Sequence, residues 1–189
     1  MGLEIEAKWP VDEKKAEEIK KILKDKGQFL VKILEENVVL DDENESMFKN
    51  GNLLRLRRTV DLETGMEKNI LTLKRKVKGK ENEEVKVMDE TEINFDDFNK
   101  MLEVFEFLGY RKKWRYEKIR EIWKVFECEV CIDKLPKLGF FVEIEGKSEE
   151  EIIEVSKILG LEKAKMIKDN YAKITLEKLK SLEDLVFEK

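Results

Sequence analysis

The chain has 189 residues, 41% hydrophobic and 43% charged, which is enough apolar material for one ordinary core or two fused halves. Its 43 acidic and 38 basic residues leave a net charge of −5, which excludes the net basic face needed to coat nucleic acid but allows a local cationic pocket. Histidine is absent, so Ser-His-Asp and Cys-His nucleophiles, histidine bases and histidine metal ligands are excluded, leaving carboxylates, Lys, Arg, Tyr or an oxygen-held metal.

The N-terminus MGLEIEAKW is acidic where a signal peptide would be basic, and no apolar run approaches about 18 residues, so a cytoplasmic location is expected. Leu3 to Trp9 alternates with period two, placing Leu3, Ile5 and Ala7 on one strand face and Glu4, Glu6 and Lys8 on the other, with Pro10 as the expected end. Asp12 to Lys26 reads as a helix with Ala16, Ile19, Ile22 and Leu23 on one face and Gly27 just past its end. Four strands are then expected, Gln28 to Leu40, Leu53 to Val60, Asn69 to Lys78 and Glu83 to Asn94, forming an antiparallel meander.

A second helix is expected over Asp96 to Leu108, with the stripe Phe98, Met101, Leu102, Phe105 and Leu108. Strands return over Tyr110 to Trp123, Val125 to Asp133 and Phe140 to Gly146. Cys128 and Cys131 are three apart with no second pair, which reads as two structural cysteines on opposite strand faces. Ser148 with Glu151 is a capping-box signature, starting a helix that carries Ile152, Ile153, Val155, Ile158 and Leu159. The tail, Glu162 to Lys189, is expected to be helical. No linker divides the chain, so residues 1–189 read as one α+β domain of about eight strands, a barrel or strongly curved sheet with helices outside.

Collecting the polar face of each strand is the informative step, because residues i, i+2 and i+4 point the same way. The first strand offers Glu4, Glu6 and Lys8; the LLRLRR strand Arg55 and Arg57; LTLKRK Thr72, Lys74 and Lys76; MDETEI Glu90 and Glu92. KIREIW adds Lys118 and Arg120, and VEIEG adds Glu143 and Glu145. Any one of these is an ordinary amphipathic strand. Together they put like charges in pairs, which costs stability unless cations neutralise the acids and a polyanion the bases. The apolar faces, such as Leu54 with Leu56 and Val142 with Ile144, need cover that the helices can supply, which would turn the charged faces inward.

In order along the chain, EIEAK, LLRLRR, LTLKRK, DETEI, KIR and IDKLPKLGFFVEIEG resemble the motifs of the CYTH superfamily, the triphosphate tunnel metalloenzymes, and MIKDNY is similar to their closing lysine and tyrosine region. The resemblance implies an eight-stranded antiparallel, closed or nearly closed β-barrel tunnel with helices outside, acting on a triphosphate with Mg²⁺ or Mn²⁺. Glu4, Glu6 and Lys8 would then be catalytic. Arg55, Arg57, Lys74, Lys76, Lys118 and Arg120 would hold phosphate. Glu4, Glu6, Glu143 and Glu145 would hold metal, with Glu90, Glu92 and Asp133 as secondary ligands. Met88 departs from relatives that carry a base before the ExE strand, so one phosphate contact is expected to be missing.

The expected activity is hydrolysis of tripolyphosphate or of a nucleoside or thiamine triphosphate. Class IV adenylyl cyclase chemistry and a non-catalytic polyphosphate-binding module are the alternatives. The expected partner is a triphosphate-containing small molecule, without nucleic acid or membrane, and a homodimer is left open.

Overall fold

Period-two alternation becomes eight strands: β1 Gly2–Val11, β2 Gln28–Asp41, β3 Leu53–Asp61, β4 Glu67–Lys76, β5 Lys86–Phe95, β6 Arg111–Val125, β7 Cys128–Leu135 and β8 Gly139–Gly146. The helices are α1 Glu13–Lys26, α2 Ser46–Lys49, α3 Phe98–Phe107, α4 Glu149–Ile158 and α5 Tyr171–Leu179. This computed structural model describes residues 2–77, 79 and 85–188, so the expected strand residues Lys78, Glu83 and Glu84 lie outside the described part. The strands close into an antiparallel barrel in the order β1-β5-β4-β3-β2-β6-β7-β8, with β8 returning to β1. Closure gives every strand a neighbour on both sides.

The outward faces are covered as the apolar stripes require. Ala16, Ile19 and Leu23 of α1 and Ile152 and Val155 of α4 pack with Ala7, Trp9, Val130, Val142 and Ile144 on the outside of β1, β7 and β8. Phe98 of α3, with Met101, Leu102 and Phe105, covers Val38, Leu40, Leu54 and Leu56 of β2 and β3. Leu108 does not join this stripe and is exposed. A third apolar group takes Trp114, Tyr116, Leu135 and Phe141 from one end of the barrel and packs them against Tyr171, Ile174 and Leu185 of the tail. No helix among the described residues is long and apolar enough to cross a membrane.

Two local expectations are corrected, and a third gains its physical reason. Pro10 does not end β1, which pairs on through Val11 with Phe140 of β8. From Ala7 onward β5 no longer flanks it, so the missing N–H of proline breaks no ladder on that side. Gly27 lies just past the end of α1, as the pattern requires, in an extended conformation at φ −119°. A Cβ there would lie 3.1 Å from the carbonyl oxygens of Leu23 and Lys124 and 3.2 Å from Val125, so close packing of helix on strand requires the glycine. The tail is helical only over α5. Elsewhere its backbone groups bond to the barrel: Ile167 N donates to Lys8 O at 2.8 Å, in the gap left by β5, and Leu185 N donates to Arg115 O at 3.0 Å.

Candidate active site

Because the helices take the outward faces, the charged faces turn inward. They line a cavity of about 310 Å³ that holds Glu4, Glu6, Lys8, Arg55, Arg57, Lys74, Glu90, Glu92, Lys118, Arg120, Glu143 and Glu145. These are twelve of the fourteen expected site residues, brought together from β1, β3, β4, β5, β6 and β8. Lys76 shares the inward parity but sits exposed at the end of β4, in a separate recess with Met88 and Lys168. Asp133 is fully buried behind the wall and does not line the cavity.

The charges interlock. Lys74 bonds Glu4 and lies 3.3 Å from Glu90; Lys86 bonds Glu6; Lys8 is 2.7 Å from Glu143; and Arg120 donates to Glu143 at 2.8 Å. Arg55 donates to the Tyr116 hydroxyl at 3.2 Å and to Thr72 at 3.3 Å, and Arg57 donates to Asn37 at 3.2 Å. Burial alone would raise the carboxyl of Glu6, but Lys86, Lys8 and Lys74 outweigh it and hold it at about 2. Glu143 is likewise held well below the usual range by Lys8 and Arg120 in spite of its burial. Burial, and then the charges of Glu4 and Glu129, push Glu145 the other way, to about 7. Glu4 is also raised, by burial and the charge of Glu6 against the pull of Lys74.

Several participants were not expected from the strand patterns. Glu35 of β2 is fully buried, 3.4 Å from Lys118, 3.5 Å from Arg57 and 3.8 Å from Arg120. Its neighbour Glu36 is charged too, so the alternation that marks an inward face is blurred in the sequence. Lys86, two residues before Met88 and on the same face, reaches the cavity and supplies a base near the place where Met88 lacks one. Leu53, Glu129, Tyr116, Asn170 and Tyr171 complete the lining; the last two come from the tail, which strand periodicity cannot place. Cys128 and Cys131 do lie on opposite faces of β7 and are both free and buried.

Among the described residues no group of three or more carboxylates or other ligands converges to hold a metal ion, because most of the inward glutamates are drawn onto lysines. The donor set nonetheless fits a hard divalent cation. Glu4 Oε2 is buried without a hydrogen-bond partner, and the charges of Glu4 and Glu129 both repel that of Glu145. A cation that prefers oxygen ligands would relieve both conditions. On the basic side, three arginines and four lysines in one small cavity can meet the oxygens of a condensed phosphate, the arginines bidentately.

Residues 2–178 match the family model described as the CYTH domain. A Methanocaldococcus jannaschii protein whose name assigns it provisionally to the adenylate cyclases is 28% identical over 184 residues, covering 91% of this chain and 98% of its own. A solved structure from Pyrococcus horikoshii has a TM-score of 0.74 and 25% identity over 93% of this chain and 99% of that one. A Hippeastrum structure, named provisionally as an adenylyl cyclase and described as having a dominant triphosphatase activity, has a TM-score of 0.66 and 16% identity, covering 96% and 97%. At that identity the likeness is one of fold.

Proposed function

Since the chain belongs to the CYTH domain family, we propose that its barrel is a metal-dependent triphosphatase that hydrolyses inorganic tripolyphosphate or the triphosphate of a small organic molecule. We take residues 1–189 to act as one unit, because the tail contributes Asn170 and Tyr171 to the cavity. The observation that carries the reading is the meeting of paired acids and paired bases inside one closed barrel, each set needing a counter-charge that a metal triphosphate supplies. Enzymes of this family generally depend on a divalent cation.

Arg55, Arg57 and Arg120 would clamp phosphate oxygens in fixed directions, and Lys74, Lys118, Lys8 and Lys86 would add point charges. As phosphate takes over the lysines, Glu4, Glu6 and Glu143 are released from their ion pairs and, with Glu145, become free to hold the cation. When bound, that cation would neutralise phosphate charge and make water a better nucleophile. Water oxygen attacks the terminal phosphorus, the P–O–P bond breaks, the water proton passes to a phosphate oxygen, and orthophosphate and pyrophosphate result. Fixed charges around the phosphoryl group supply most of the rate enhancement.

An adenylyl cyclase would also need room for a purine. Beside the cavity lies an apolar recess of about 60 Å³ lined by Met47, Phe48, Trp114 and Tyr116. That is less room than the fused five- and six-membered rings of a purine fill. This favours hydrolysis of a compact triphosphate.

The test is incubation with Mg²⁺ or Mn²⁺ and tripolyphosphate, ATP or thiamine triphosphate, with products identified. Orthophosphate with pyrophosphate from tripolyphosphate supports the reading, and cyclic AMP from ATP turns it to the cyclase. Glu4→Gln and Glu6→Gln are expected to lower kcat by about 100-fold or more. Tight binding without product on any substrate would leave only the binding module.

A further inference from the structure

Asp133 of β7 is fully buried, yet both of its oxygens are in use. Oδ1 accepts from Arg120 Nε at 2.6 Å. Oδ2 accepts from Arg120 Nη2 at 2.7 Å, from Lys118 Nζ at 3.1 Å and from the Tyr171 hydroxyl at 2.7 Å. A carboxylate offers about two acceptor directions on each oxygen, so Oδ2 is crowded by three donors while Oδ1 holds one, and the group is fixed from three side chains at once. Its partners Lys118, Arg120 and Tyr171 all line the cavity, so Asp133 touches the site through the side chains it holds.

Tyr171 begins α5 and is therefore a tail residue, separated from Asp133 by the whole of β8 and α4. It is locked from several sides. Asn170 caps its helix through Lys173 N at 2.9 Å, Phe141 meets its ring edge-on at 5.3 Å, and Lys8 Nζ sits 4.5 Å over the ring centre. Burial, with the Asp133 and Glu143 charges nearby, keeps its phenol protonated and so a donor.

We propose that Asp133 and Tyr171 are a positioning pair through which the C-terminal tail fixes Lys118 and Arg120 in the orientation that receives the triphosphate; this rests on the triphosphate reading above. Without the pair, the guanidinium of Arg120 can turn toward Glu35 or Glu143, and the ammonium of Lys118 toward Glu35, all within 4 Å already. With it, Arg120 spends Nε and Nη2 on Asp133 and Glu143, and its remaining terminal nitrogen keeps two N–H groups for a phosphate oxygen. Asp133 thereby acts as a positioning residue.

The experiment uses the full chain with Tyr171→Phe and Asp133→Asn. It measures KM and kcat for magnesium tripolyphosphate, the Kd of tripolyphosphate by calorimetry in chelator, and Tm. Tyr171→Phe is expected to raise KM and the metal-free Kd about three- to tenfold with kcat within about twofold, and Asp133→Asn to raise them about tenfold or more. If Asp133→Asn does not fold, Tyr171→Phe alone decides. Values of KM and Kd within about twofold of the parent in folded variants, whatever happens to Tm, would overturn the pair. So would an Asp133→Asn chain that keeps its metal-free affinity and loses only its magnesium dependence, since that is the behaviour of a ligand. A parent chain that binds tripolyphosphate without cleaving it sinks the hydrolase reading but leaves Kd to judge the pair; one that does not bind it at all overturns both.

Discussion

Glu35 and Glu145 are the same side chain driven in opposite directions by their neighbours. Arg57, Lys118 and Arg120 hold Glu35 well below the usual carboxylate range against full burial. Its folded value lies below its unfolded one, so its stabilising share is present above the unfolded value and is lost as the pH falls toward the folded one. Glu35→Leu, which removes one anion from this buried cluster, is expected to cost about 3 kcal/mol or more in urea unfolding at pH 7. A loss under about 1 kcal/mol would mean that Asp133 alone satisfies the bases. Glu145 has the opposite sign. Its folded value of about 7 exceeds its ordinary 4.5, so its share of stability is complete below about 4.5 and is lost as the pH rises through about 7. In chelator, the Tm of Glu145→Gln minus that of the parent should therefore grow between about pH 4.5 and 7 and then level off. The gap should be modest, because Glu145 opens onto the cavity and solvent screens it. A difference that is flat across this range would remove the repulsion inferred between Glu145 and the charges of Glu4 and Glu129.

At the scale of elements, each strand states its two faces through alternation and each helix its one face through its stripe, so the pairing of α1, α3 and α4 with outward strand faces was legible in advance. Joints were less so. Gly27 was legible as a boundary but not as a contact, because the sequence does not show that Lys124 and Val125 of a strand nearly a hundred residues away lie against it. Gly27→Ala is expected to destabilise by about 1–3 kcal/mol, although its backbone angles suit any residue, since both nearest atoms are carbonyl oxygens that cannot swing aside. Equilibrium denaturation checks this, and an unchanged midpoint would show that α1 and β6 can part by a few tenths of an ångström. The tail failed as a helix reading for a related reason. Its backbone is satisfied by Lys8, Arg115 and Glu117 of the barrel outside α5, an alternative to helical bonding that exists only once the barrel is built.

For the whole molecule, closing the barrel confines like charges that an open sheet would leave in water, so the folded chain carries electrostatic strain that a ligand can relieve. Tripolyphosphate with Mg²⁺ at about 100 times its Kd should add about 2.7 kcal/mol, or roughly 5–11 °C in Tm for a chain of this size. Sulfate at equal ionic strength should give much less, and equal shifts would reduce the effect to general screening. Twelve of the fourteen residues expected at the site do meet in one cavity, because an inward face is a property of local alternation and survives any arrangement that keeps the helices outside. Asp133 and Lys76 also have inward parity. Parity says which way a side chain points, but not whether it ends in the cavity, behind its wall or beyond its mouth. The sequence by itself determined the strands, their faces, the sign of each charged pair and the family likeness, all of which rest on local periodicity. Only the tertiary structure decided which acid faces which base, that Glu35 and Lys86 join them, and that the tail brings Tyr171 to Asp133, because these follow from barrel register and chain return, where residues far apart in sequence come within hydrogen-bonding reach.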